Sequence, residues 1–236
     1  MKWTIQQAEA VSREKTWVPL TPREVLALAR DQSARLVRDG GELLEVLLES
    51  LERIESKIHG ETPEVHLLWD KSPDGTYRPK DENVLSDYIK NRLDDDLRVR
   101  GVVVNREVEI HRPAQGKPGQ QTDIHIDAVS RKSDGLGHER ITVILETKGC
   151  WHSELEDAMK AQLVDRYLRD NQSKFGLYLI GWFNCNKWDR KDYRQGQAEK
   201  NGWTLFDARS FFQSQAADLS KSDLLIKSVV LDAALR

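Results

Sequence analysis

The sequence predicts an α/β fold: a mixed central β-sheet flanked by helices, with an N-terminal helical extension. Three observations carry this expectation: the strictly alternating segment TDIHIDAV (122–129), the nearly all-apolar run FGLYLIGWF (175–183), and apolar stripes at helical spacing around them. Composition bounds the rest. The chain has 236 residues with 39% hydrophobic and 32% charged content, enough for one large domain or a domain plus an extension. No stretch approaches the ~18 apolar residues of a membrane span, and MKWTIQQAEAVSREKTW lacks the apolar core of a secretory signal. Two cysteines, Cys150 and Cys185, form no CxxC, so a reducing, cytoplasmic setting is expected. With a net charge of −3, any contact with nucleic acid has to come from a local basic surface.

Taken in order, residues 1–20 show little periodicity. LTPRE then opens a helix, with Thr21 as its cap, Pro22 at the first helical position and Glu24 closing a capping box. RDGG interrupts it. A longer helix is expected over roughly 42–58, where Leu43, Leu44, Leu47, Leu48, Leu51, Ile54 and Ile58 make one stripe before Gly60. DKSPDGTYRPK (70–80) is dense in turn formers and gives the expected boundary, with an extension over 1–75 and the α/β domain over 76–236.

Residues 81–97 read as a helix burying Val84, Leu85, Tyr88, Ile89 and Leu93. GVVVNREVEI (101–110), TDIHIDAV (122–129) and 140–148 read as strands, separated by the loop RPAQGKPGQQ and the turn RKSDGLGHE. SELEDAMKAQLVDRYLRD (153–170) reads as a helix with a capping box from Ser153 to Glu156. FGLYLIGWF is a strand buried on both faces. Beyond it the sequence offers a short strand near Trp203–Phe206 and two helical stretches.

The chemistry concentrates in ITVILETKGCW (141–151). Its run of β-formers ends by placing Glu146 and Lys148 two apart, hence on one face of a strand. A buried carboxylate and ammonium are costly unless they have partners or a task. On 122–129, Asp123, His125 and Asp127 share a face. If this strand forms a hairpin with 140–148, pairing Ser130 with Glu139 sets Asp123 opposite Glu146. Pairing Asp134 with Glu139 would set Asp127 there, but it forces the polar RKSD into a strand, so Asp123 is preferred. Carboxylates from neighbouring strands are hard ligands suited to Mg²⁺, with Mn²⁺ able to substitute. Such a site acidifies a bound water and neutralises charge on a phosphoryl group, and Lys148 stands where it can act on that water.

TDIHIDAV…ILETKG resembles the active-site signature of the PD-(D/E)XK nuclease superfamily, the restriction-endonuclease-like group. The motif's acids fall on Asp123 and Glu146 and its lysine on Lys148; Thr122 stands where the motif has proline. The family core of helix, three strands, helix and strand matches the order read over roughly 81–183. The resemblance implies a metal-dependent nuclease acting on phosphodiesters, most readily in DNA. It implies Mg²⁺ held by Asp123, Glu146 and the main-chain carbonyl of Thr147, with Glu82 as a further acid from the first helix. It also implies a catalytic role for Gln162 on the helix after the motif; Tyr167 follows at one residue more than the family's spacing. The stretch from DYIKNRLDDDL to KGCW is similar to nuclease modules of large bacterial anti-phage defence proteins, which implies a homo-oligomer or larger defence assembly as context. The alternative within the same resemblance is an inactive nucleic-acid-binding or assembly module.

His125, between two aspartates on one face, reads as a solvated histidine or one that supports the site, not as a metal ligand or base, and Cys150 with His152 lacks the orienting group of a nucleophilic pair. GWFNCNKWDRKDYRQ (181–195) interleaves Trp182, Trp188 and Tyr193 with Lys187, Arg190, Lys191 and Arg194, a pattern suited to bases and phosphates, though Asp189 and Asp192 dilute it. Trp151 could line the same groove or anchor the following helix.

Overall fold

A computed structural model describes residues 37–97, 102–111, 120–131, 138–221 and 223–236, with side chains described there except at 106–111, 120–123, 130–131 and 138. The expected helix at Thr21, Pro22 and Glu24 lies outside the described residues. Among those described, no helix is long and apolar enough to cross a membrane.

Helix α1 (Gly40–Ile58) forms where the leucine stripe predicts it, and Asp39 caps it by accepting the Glu42 N–H at 2.9 Å. Strands β1 (Trp69–Lys71) and β2 (Tyr77–Pro79) make a small hairpin, turned by Gly75 at a φ of 85°. After α2 (Glu82–Leu97) come β3 (Val103–His111), β4 (Gln120–Arg131) and β5 (His138–Gly149). A short α3 (Leu155–Ala158) opens into a π-helical segment, Met159–Leu168, which leads to β6 (Phe175–Trp182). Helices α4 (Tyr193–Ala198) and α5 (Leu205–Leu219) and strand β7 (Leu225–Asp232) complete the chain.

The main sheet has five strands in the order β3-β4-β5-β6-β7. β3, β4 and β5 are antiparallel, whereas β5, β6 and β7 are parallel, so the sheet is mixed. Helices cover both faces. A Cβ built on Gly181 would fall 2.6 Å from Leu85, which sets α2 over that face; one on Gly40 would strike the Phe175 ring, which sets α1 beside it. The opposite face carries Tyr178, whose hydroxyl donates to the Leu155 carbonyl at 2.8 Å and whose ring lies 5.8 Å from Phe212 of α5.

Three expectations are corrected. The boundary near residue 75 moves, because residues 37–236 form one compact unit in which Leu43, Leu47 and Leu51 of α1 share a core with the sheet. The capping box at Ser153 does not form. The helix begins at Leu155, and the Glu154 N–H is taken by Nδ1 of His152 at 3.2 Å. No strand forms at Trp203–Phe206: Thr204 caps α5 in a reciprocal pair with Asp207, and the strand in this part of the chain is β7.

β7 is an edge strand, and side chains occupy much of its outer side. Ser220 Oγ accepts from the Ile226 N–H at 2.9 Å and donates to its carbonyl at 3.2 Å; Arg209 donates to the Val230 carbonyl at 3.1 Å; Glu55 accepts from the Asp232 N–H at 2.9 Å. Capping of this kind discourages pairing with another strand.

Candidate active site

The register of the β4–β5 hairpin decides which acid approaches Glu146. Ser130 pairs with Glu139, and the ladder runs through Asp127 with Thr142 and His125 with Ile144 to Ile124 with Leu145. One residue further along it, position 123 comes across from 146. Asp127 is thereby excluded as the partner of Glu146. The side chain of Asp123 lies outside the described residues.

On β5, Glu146 and Lys148 face the same side as their β6 register partners, Tyr178 and Ile180. Glu146 is 1% exposed and Lys148 8%. The ammonium of Lys148 lies 2.8 Å from Oε1 of Glu146, so the charges neutralise one another in a setting that hydrates neither well. Thr147, between them, is also buried, and its side chain turns to the other face. Glu82 opens α2, and its Oε1 accepts the Gly149 N–H at 2.9 Å. The first turn of α2 is thus tethered to the carboxyl end of the strand that carries Glu146 and Lys148.

Gln162 lies in the π-helical segment, and its amide donates to Glu154 at 3.3 Å. The same segment buries Tyr167. A π-helix advances more residues per turn than an α-helix, so the five-residue spacing of Gln162 and Tyr167 brings them toward a common face. The resemblance in the sequence had put Tyr167 one residue beyond the family's spacing from Gln162.

Asp127 has a structural role. Arg140 donates to both its oxygens, Nε at 2.7 Å and Nη2 at 2.5 Å, Thr142 donates at 2.7 Å, and His125 Nδ1 lies 3.1 Å away. Burial pushes this carboxyl up, but the bonds from Arg140 and Thr142, with the charge of His125, outweigh it and hold Asp127 below the usual carboxylate range. His125 is buried rather than solvated and supports Asp127.

The expected nucleic-acid surface divides. Lys187 bonds the Arg236 carbonyl, and Arg194 pairs with Asp192 at 2.7 Å, whereas Arg190 and Lys191 are exposed and make no ion pair among the described residues. Trp151 is buried, its ring centroid 5.1 Å from Phe183 and 5.7 Å from Trp188, with the Arg194 guanidinium 5.1 Å over it. It anchors the chain after β5, and its packed ring offers no platform for a base. Trp188 is buried in the same cluster; of the aromatic residues in the loop, Tyr193 is the exposed one. Among the described residues no three His, Cys, Asp or Glu side chains converge as a metal site. No protein-family model matches the chain, and neither a curated protein nor a solved structure matches it.

Proposed function

We propose that the chain is a divalent-metal-dependent nuclease that hydrolyses phosphodiester bonds, with DNA the favoured substrate, on a restriction-endonuclease-like core. One observation carries the reading: the β4–β5 register through Ile124 with Leu145, which, carried one residue on, sets position 123 across from Glu146, two residues from Lys148 on the same face. The donor set fits a hard cation, since Asp123, Glu146, the Thr147 carbonyl and Glu82 offer oxygen alone. Bound there, Mg²⁺ or Mn²⁺ would supply Lewis acidity and acidify a water.

The chain's own groups do the remainder. Lys148, 2.8 Å from Glu146, sets a cation beside this buried carboxyl group. Lys148 orients the attacking water or takes up charge developing on the phosphate. The tether from Glu82 to Gly149 fixes this end of β5 against α2. Gln162, at the rim of the following helix, is a second polar contact for the scissile phosphate. A bacterial defence setting, and assembly with further copies, follow from the same resemblance.

A second reading, which the same resemblance allows, is an inactive nucleic-acid-binding or assembly module. The two separate on supercoiled plasmid incubated with Mg²⁺ or Mn²⁺. The nuclease nicks or linearises it, and Glu146→Ala and Lys148→Ala each lower the rate on the order of a hundredfold or more. Cleavage that persists in both variants refutes the proposal. Plasmid bound but left intact in every metal favours the module.

A further inference from the structure

At the carboxyl ends of β6 and β7 lies a cavity of about 570 Å³ that the chemistry above does not use. Three indoles line it, those of Trp182, Trp188 and Trp203. The N–H of Trp188 donates to Asp192 at 3.1 Å, but those of Trp182 and Trp203 have no partner among the described residues, although Trp182 is only 5% exposed. An indole N–H left open on a cavity wall can meet a ligand acceptor. Two carboxamides on the same wall, Asn184 and Asn186, likewise make no side-chain hydrogen bond there. Gly202, at a φ of 62°, turns the chain into Trp203.

The charges on the wall select the ligand. Glu199 lines the cavity with one oxygen accepting from Gln195 at 2.6 Å, and Asp232 lines it while held by Arg236 at 3.2 Å. Carboxylates disfavour a phosphate inside. Aromatic walls, free amides and free N–H donors suit a neutral planar ring with hydrogen-bonding edges, and the volume is in the range of small-ligand pockets. Arg190, exposed at the mouth, is free to meet a phosphate outside. Trp182 lies two residues beyond Ile180, the register partner of Lys148, and so shares its face of the sheet.

We propose that this cavity takes a single unstacked nucleobase of the substrate strand, reading its edge with Asn184 and Asn186 and packing its ring against Trp203, the half-exposed indole of the wall. The inference rests on nucleic acid being the substrate but not on cleavage. Its test is binding in EDTA, where the metal is withheld, of a short labelled single strand and of an abasic strand of equal length by the full chain. The intact strand should bind about tenfold or more tightly than the abasic one. Asn184→Ala combined with Asn186→Ala, with an unchanged circular dichroism spectrum, should erase that difference while leaving abasic binding as it was. Equal binding of the two strands, binding of neither, or an undiminished difference in the double variant overturns the proposal. A chain that prefers the intact strand yet never cleaves in Mg²⁺ or Mn²⁺ would refute the nuclease reading and uphold the base site.

Discussion

Lys148 and Glu146 stand two residues apart on one face of β5, nitrogen to oxygen 2.8 Å, with Glu146 the more deeply buried. Removing one member of such a pair is more damaging than removing both, because the remaining charge loses its balance. Lys148→Met should therefore cost about 3 kcal/mol in urea unfolding. Glu146→Gln combined with Lys148→Met should cost less than the sum of the single changes. A divalent cation can replace the missing ammonium, so Mg²⁺ should raise the Tm of Lys148→Met and leave the double variant where it was. Equal Mg²⁺ responses in the two variants would argue against a cation at Glu146.

Asp127 offers a separate test, because the bonds from Arg140 and Thr142 make it a stabilising carboxylate. Its folded-state carboxyl is held below the unfolded value, so its contribution is present above the unfolded pKa and fades as pH falls through the folded one. Asp127→Asn should lower stability at neutral pH by about 1–3 kcal/mol. The gap from wild type should close in acid, below the ordinary carboxylate range. Cleavage should survive this change and be lost in Asp123→Asn, as the register requires.

The strands and the hairpin register were legible because a one-residue slip would have turned Ile124, Ile126 and Ala128 out of the core, all of which are buried. α1 was legible as a helix but not as part of the domain, since a stripe of leucines shows that a face is covered and not by what. β7 was missed because LIKSVVLD places Lys227 and Ser228 within its apolar run and breaks the alternation. The π-helical segment has no signature at the α-helical interval, and with it went the relation of Gln162 to Tyr167. At the site, the acids and lysine were visible as spacing. The tether from Glu82 to Gly149 joins positions far apart in the chain and was invisible as a hydrogen bond.

The two thiols should differ in reactivity. Cys150 is buried, its sulfur accepts from the Phe183 N–H at 3.4 Å, and burial pushes the thiol up to about 12. Cys185 is partly exposed. A disulfide reagent at pH 8 should label Cys185 in the native protein and reach Cys150 only after denaturant is added. Rapid native labelling of Cys150 would show that the packing of Trp151 and Phe183 around it opens readily.

Glu82 can be divided into a structural and a chemical part, because its bond to the Gly149 N–H uses one oxygen as acceptor. Glutamine keeps an acceptor oxygen of the same reach but removes the negative charge. Glu82→Gln should therefore hold the wild-type Tm to within a degree or so, whereas Glu82→Ala should lose about 1 kcal/mol by leaving that N–H without its partner. If Glu82 also contributes to the cation site, Glu82→Gln should raise the Mg²⁺ concentration needed for half-maximal cleavage several-fold while the fold stays intact. A Mg²⁺ requirement equal to wild type in that variant would confine Glu82 to fastening α2 to β5. The acids at 123 and 146, with the carbonyl of Thr147, would then be the complete protein contribution.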